Sequence, residues 1–302
     1  MSAADESAAA SPPAGALRRL GDRWIHPVGI GCLAMSTGDD RDEGRSLRTI
    51  HAALDAGVQL IDTADSYARD EAEFGHNERL IARALRTSSR GHEAIVATKG
   101  GHTRRGADWE LDGRPEHLRA ACEASLRRLG VERIDLYQFH RPDPRVPFEE
   151  SIGALRDLRD AGTVRWVGIS NVDRDQIRSA RRIVEIAAVQ NELSPRFPHP
   201  LHNGEVAACE RDGIAFLPWS PFGGIGNAAG VGSAAVQGVA RARGVSPHRV
   251  VLAWLLARSP VMIPIPGVSR PETALDCARA PALRLEPGEL AALAAGYAPA
   301  GP

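Results

Sequence analysis

The sequence predicts an α/β fold, a single-domain (β/α)8 TIM barrel, from three observations. Eight short apolar, β-rich runs alternate with helix-patterned stretches along nearly the whole chain. No shift in composition separates them into domains. The length, 302 residues, suits one such barrel. A doubly wound sheet is the alternative, and its one supporter is GIGNAA at 224–229, a loose match to GxGxxA. A dinucleotide fingerprint joins a first strand directly to a helix, with an acid about 20 residues on. Here the match comes after seven strand-like runs and after Pro218 and Pro221, so it reads as a glycine-rich loop.

In chain order, residues 1–16 (MSAADESAAASPPAGA) are small, polar and proline-containing with no apolar stretch, which predicts a disordered tail ahead of a barrel spanning 17–302. The strand-like runs are Val28–Leu33, Gln59–Asp62, Ala94–Lys99, Ile134–His140, Val164–Ser170, Ala187–Asn191, Ile214–Ser220 and Val261–Pro266. Between them EGRSLRTIHAALDA, NERLIARAL, PEHLRAACEASLRRLG, FEESIGALRDLRDAG, DRDQIRSARRIVEI and NGEVAACERDG carry apolar residues at helical spacing. SAAVQGVARARG and SPHRVVLAWLLARS precede the last run, and PETALDCARA and EPGELAALAA follow it. Asn77, Asp173 and Ser246 read as helix N-caps, and Gly130, Gly162, Gly213 and Gly244 as helix ends.

Composition narrows the function. Hydrophobic residues make up 43% of the chain, enough for a sizeable core. Thirty-seven basic against 38 acidic side chains give a net charge of −1, which argues against non-specific nucleic-acid binding and gives no pull towards a membrane surface. No run approaches a membrane span. Arg18 and Arg19 are followed by Asp22 and Arg23 rather than by an apolar stretch, so a twin-arginine signal does not fit. The four cysteines are isolated, with no CxxC pair and no histidine at ligand spacing, and read as reduced thiols of a cytoplasmic protein with no metal site.

The chemistry gathers at the C-terminal ends of the runs, the face where barrels carry their active sites. The stretch LIDTADSYARDEAEFGHNERL (60–80) ends an apolar run in Asp62 and places Tyr67 just beyond. The next runs end in Lys99, His140, Ser170–Asn171, Gln190–Asn191 and Trp219–Ser220, and the last turn offers Gly267, Ser269 and Arg270. Singly, each has a bland reading as a turn cap or a solvated residue. Together, Asp, Tyr, Lys and His on consecutive strand ends suit proton transfer to a carbonyl oxygen while a cofactor delivers hydride. A tyrosine with a pKa near 10 needs tuning to donate near neutrality. An ammonium at Lys99 is expected to lower that pKa, a buried Asp62 to keep the lysine charged, and His140 to hold the substrate oxygen.

These motifs resemble the aldo-keto reductases. The DTA…Y segment at 62–67 is similar to theirs, as are VATKGG, LYQFHRPDP, VGISNV, VQNELSP, PWSPFGG and IPIPGVSRPE, in the same order over residues 17 to 295. The resemblance implies a (β/α)8 barrel that binds NADPH in extended form, with the tetrad Asp62, Tyr67, Lys99 and His140. It further implies that Ser170, Asn171 and Gln190 bond the nicotinamide carboxamide and that Trp219 stacks on the ring. Ser220, Phe222 and Gly224 would follow the pyrophosphate. Ser269 and Arg270, preceded by the cofactor-site residue Gly267, would meet the adenosine 2′-phosphate, and Asp276 matches an acid of the adenine site. The substrate pocket is expected around Met35, Trp109 and Arg141.

Three departures stand out. Ala68 replaces the usual glycine after the tyrosine, an acidic RDEAEF insert precedes Gly75, and Cys277 replaces an adenine-facing asparagine. Within the family, the VQNE and VVLAWLLARSP–IPIPG regions look similar to bacterial pyridoxal reductases, so pyridoxal-like aldehydes and keto sugars are both candidate substrates. The competing expectation is an NADPH-sensing regulatory subunit of the potassium-channel β-subunit type.

Overall fold

The structure, a computed structural model, describes residues 17–38, 40–224 and 231–295. The expected N-terminal tail and most of GIGNAA lie outside them.

The described chain opens with an antiparallel hairpin, β1 (Arg18–Leu20) and β2 (Arg23–Ile25). Strands β3 (Ile30–Gly31), β4 (Leu60–Asp62) and β5 (Ile95–Gly100) follow, then a second hairpin, β6 (His102–Arg105) and β7 (Asp108–Leu111). Strands β8 (Ile134–Phe139), β9 (Val164–Ser170), β10 (Ile186–Gln190) and β11 (Ala215–Phe216) complete the ladder. Seven strands pair in parallel in the order β3-β4-β5-β8-β9-β10-β11.

The eighth expected strand closes this sheet into a (β/α)8 barrel without forming a regular ladder. Met262 bridges Phe216 and Gly267 bridges Gly31, so the segment joins β11 on one side to β3 on the other. Ile263 and Ile265 donate to the carbonyls of Phe216 and Pro218. On the opposite side Pro264 and Pro266 accept from Gly29 and Gly31 and have no N–H to give back. Proline therefore halves the β3 side of the pairing, and the stretch reads as a bridge.

Alternation sorts the strands' side chains. Leu60, Ile95, Ala97, Leu136, Trp166, Ala188, Leu217, Ile263 and Ile265 form an apolar cluster inside the barrel, joined by Leu20 and Ile25 of the first hairpin, which stoppers one end. The turn between β1 and β2 has to be tight there. Gly21 has φ +56°, and a Cβ on it would lie 2.3 Å from the Trp166 ring. A larger cluster fills the space between barrel and helices.

The expected helices form, for example Glu43–Asp55, Pro115–Leu129, Phe148–Asp160 and Pro247–Leu256. Asp173 caps through a capping box, and Ser246 accepts from the Arg249 N–H. Asn77 is no cap. Gly75 holds that position, and the buried Asn77 amide donates to Cys32 O (2.9 Å) and Ser36 Oγ (2.7 Å) while accepting from Thr63 Oγ1 (2.6 Å). Both hairpins were hidden from the periodicity because their arms are only three and four residues long. All four cysteines are free and buried, and burial pushes the Cys122, Cys209 and Cys277 thiols up to about 12. Among the described residues no helix is long and apolar enough to cross a membrane, and no cluster of side chains could hold a metal ion.

Candidate active site

The aspartate that ends β4 has its partner on the neighbouring strand. Asp62 pairs in register with Ala97, so Lys99, two residues further along β5, projects from the same face. The Lys99 ammonium donates to Asp62 Oδ2 (2.7 Å), to Thr63 O (2.7 Å) and to Tyr67 Oη (3.0 Å). All three of its protons are thereby placed. Gln190 Nε2, arriving from β10, donates to the other carboxylate oxygen at 2.7 Å. The Lys99 side chain is 0% exposed and that of Asp62 4%, so each charge depends on the other. Burial pulls the ammonium down, but Asp62 and Tyr67 outweigh it and Lys99 is held above its ordinary value. Burial pushes the Asp62 carboxyl up, against the pull of Lys99 and Gln190.

Tyr67 lies on the short turn after β4, with its ring centroid 4.7 Å from Lys99 Nζ. The expected downward tuning of this phenol is only half right. Lys99 does pull it down, but burial is the larger effect and Tyr67 is held above the usual phenol value. His140 ends β8, its N–H bonded to Gly100 O (2.9 Å) and its carbonyl accepting from Asn171 Nδ2 (2.9 Å). Its ring meets Tyr67 edge-on at 5.7 Å. Burial, reinforced by His102, Lys99 and Arg141, holds the imidazole well below its usual pKa, so it is neutral. A neutral imidazole can donate one N–H, and a phenol held by an ammonium can give up a proton.

The second hairpin supplies a wall that the sequence largely conceals. His102 packs edge-on to His140 at 4.3 Å and to Trp109 at 5.5 Å, and Trp109 meets Tyr67 at 6.3 Å. Arg104 holds this wall. Its guanidinium lies 3.5 Å from the Trp109 ring centroid, donates to Ser66 O (3.2 Å) and Ala107 O (2.6 Å), and also bonds Ala68 O. The Ser66 and Ala68 carbonyls flank Tyr67, so one buried side chain ties the hairpin to the turn that carries the phenol. The acidic insert backs the hairpin, Glu71 N donating to Gly106 O at 2.9 Å, while Arg41 grips Glu73. It stays outside the pocket lining.

A cavity of about 710 Å³ runs from these residues to the last turn of the barrel. Asp62, Tyr67, His140, Ser170, Asn171, Gln190 and Trp219 meet along its inner end. Ser220, Phe222, Gly224, Gly267 and Ser269 continue it. Among the described residues two non-glycine positions have left-handed backbone, Asn171 (φ 57°) and Ser220 (φ 51°), and both line this cavity. Such strain, of order 1–3 kcal/mol each, persists where a site requires it. Ser170 Oγ donates to Gln190 O (2.7 Å) and receives Asn171 Nδ2 (3.0 Å), so the three polar residues form one unit.

Of the expected substrate residues, Trp109 and Arg141 line the cavity. Met35 does not: the helix Ala34–Thr37 turns it into the core at 2% exposure, and Leu33, Ala34 and Thr37 face the cavity instead. One turn of helix shows no periodicity from which that facing could be read. At the far end Arg270 is exposed at the N-cap position of the helix Pro271–Ala278. The expected contact at Asp276 is not displayed: its carboxylate is taken by Arg249 and Ser246. Cys277 is buried in the core rather than facing a ligand. Gln138, two residues before His140 on the same face of β8, lies within reach of Gln190 (3.5 Å), and a Cβ at Gly168 would come 2.7 Å from its side chain. Strand alternation could have found it.

Known proteins resemble this chain in sequence and in fold. The chain is 33% identical over 258 residues to an uncharacterised oxidoreductase of Schizosaccharomyces pombe, covering 83% of this chain and 80% of that protein. A glycerol dehydrogenase structure from Gluconobacter oxydans superposes with a TM-score of 0.79 at 29% identity, covering 93% of this chain and 94% of its own. An aldo/keto reductase from Klebsiella pneumoniae, solved with NADP and acetate, gives 0.78 at 23% identity over 93% and 95% of the two chains. The Aldo/keto reductase family profile matches residues 27–297, the stretch that builds both barrel and tetrad, and the chain belongs to that family.

Proposed function

We propose that the protein reduces the carbonyl of a small aldehyde or ketone to an alcohol with NADPH, and that Tyr67 gives the proton. The observation that carries this is the Lys99 ammonium, bonded at once to Asp62, Thr63 and Tyr67 beside a neutral His140. The residues along the cavity fit the cofactor by their chemistry. An aromatic face (Trp219) stands beside an amide-rich end (Asn171, Gln190), and left-handed backbone at Asn171 on that end and at Ser220 beyond the indole turns main-chain groups along the cavity. The bound cofactor supplies hydride to the carbonyl carbon. His140 holds the carbonyl oxygen with its N–H while Tyr67 Oη passes its proton to that oxygen. Lys99 stabilises the phenolate left behind, and Asp62 keeps Lys99 charged. Ser170, Asn171 and Gln190 orient the nicotinamide carboxamide. Arg270, exposed beside Ser269, is free to grip the 2′-phosphate. NADPH oxidation with a panel of aldehydes, keto sugars and pyridoxal, with product identification, tests the reading. Tight NADPH binding without turnover on any of them would replace it with a sensing role.

A further inference from the structure

A second cavity, of about 330 Å³, adjoins the first, and Arg141, Asn171 and Trp219 belong to both walls. The reductase mechanism uses nothing else in it. Its walls are nonetheless ordered. Asn191 Nδ2 donates to Glu205 Oε2 (2.5 Å) and Asn203 Nδ2 to Glu205 Oε1 (2.7 Å), fixing both oxygens of a carboxyl that is only 7% exposed. Glu192 is bridged through its backbone to Trp219 and lines this second cavity. The Trp219 indole Nε1–H is buried and has no partner among the described residues. At the rim, Phe197 is 40% exposed and meets the His199 ring edge-on at 4.7 Å.

This combination selects a ligand. Asp173, Glu192 and Glu205 stand against one guanidinium, Arg141, so the annex repels an anionic group. Carboxylates and amide oxygens accept hydroxyl protons well, the Arg141 guanidinium offers donors to a hydroxyl oxygen, and an exposed aromatic ring gives a face for C–H groups. We propose that the annex binds a neutral polyhydroxy arm, sugar-like in chemistry, carried by the carbonyl substrate, with Arg141 at the passage between reacting group and arm. The proposal rests on the reductase reading and adds the class of substrate to it.

The test compares two aldehydes with the same reacting group, 4-formylphenyl β-D-glucopyranoside and 4-methoxybenzaldehyde. The wild-type kcat/KM should favour the glucoside by about tenfold, the scale of one or two neutral hydrogen bonds. In Phe197→Ala, and separately in the gentler Glu192→Gln, the ratio of the two kcat/KM values should fall towards one. Equal use of both aldehydes by wild type, or a preference that survives both variants, overturns the proposal. Faster reduction of 4-formylphenyl phosphate than of the glucoside overturns its neutral-arm form. Should neither aldehyde be reduced, the reductase reading stands or falls by the wider panel and the annex needs a separate measurement. The annex is then decided by saturation-transfer NMR of phenyl β-D-glucopyranoside on the NADPH-loaded protein. A sugar signal in wild type that disappears in Phe197→Ala supports the annex. No signal in wild type, or one that persists in the variant, overturns it.

Discussion

The side of the cavity built from strand ends and the side built from the β6–β7 hairpin are held by different physics. Asp62 and Lys99 sit on neighbouring strands, with His140 just past β8 and Gln190 on β10 of the same sheet, so backbone hydrogen bonds set their spacing and the side chains then satisfy each other. The hairpin touches the barrel mainly through side chains, and one of them, Arg104, makes most of the polar attachment seen there. The strand-end side is over-determined, and removing a residue from it should cost stability as well as rate. On the hairpin side one guanidinium supplies the polar tie to the turn that carries Tyr67, and removing it should loosen geometry while sparing the fold.

The sharpest test stands at the junction of the two sides. Tyr67→Phe keeps the ring and its edge contacts while removing the proton, and should lower kcat by about 10² to 10⁴ with NADPH affinity within a few-fold of wild type. Stopped-flow hydride transfer checks it, and activity above about a tenth of wild type would assign the proton to another donor. On the strand-end side, Lys99→Met leaves a buried, unpaired Asp62 and should cost about 3–5 kcal/mol in denaturant unfolding. Adding Asp62→Asn should recover part of that loss without recovering activity, and a single variant as stable as wild type would mean the pair is not the anchor described.

On the hairpin side, Arg104→Ala should reduce kcat/KM by about tenfold, a loss of about 1.4 kcal/mol as the wall beside Tyr67 loosens. NADPH dissociation and the melting temperature should move little. Arg104→Lys keeps the charge without the planar fork and should restore only part of the rate. Equal losses in rate and in NADPH affinity would place Arg104 in the general scaffold. The smallest effect concerns pH. Burial, aided by Arg141, lowers His102 to about 4, against about 6.5 in an unfolded chain. Between those values the unfolded state binds a proton that the folded state refuses, so stability falls as pH drops from about 6.5 to 4. His102→Gln should flatten that part of a melting-temperature profile, and an unchanged slope would assign the loss to His140 and the carboxylates.

The same division explains what could be read from the sequence. Asp62, Lys99, His140, Ser170 and Gln190 were legible because strand alternation and the C-terminal face of a barrel together specify their placement, with no need to know a loop. His102 and Arg104 were not, since HTRRGADW carries too few residues per arm to show a period. Met35 escaped for a related reason: position along the chain put it near the site, but which way a short helix faces is settled by packing, as is the pairing of Asp276 with Arg249. The rise rather than fall at Tyr67 is a matter of burial, which sequence does not weigh against a neighbouring charge.

The proline-bearing eighth segment has a consequence beyond closing the ring. Pro264 and Pro266 fix their φ angles in the unfolded chain as well, so joining the last stave to the first costs less chain entropy than a flexible strand would. Should the barrel part along this seam, the bared edge has no N–H at those two positions, and a strand from another molecule finds little to zip onto. We expect Pro264→Val with Pro266→Val to raise light scattering during partial thermal unfolding at constant protein concentration, and no increase would confine the two prolines to shaping the fold. The seam that makes the sheet look one strand short is also what keeps an opened barrel from recruiting its neighbours.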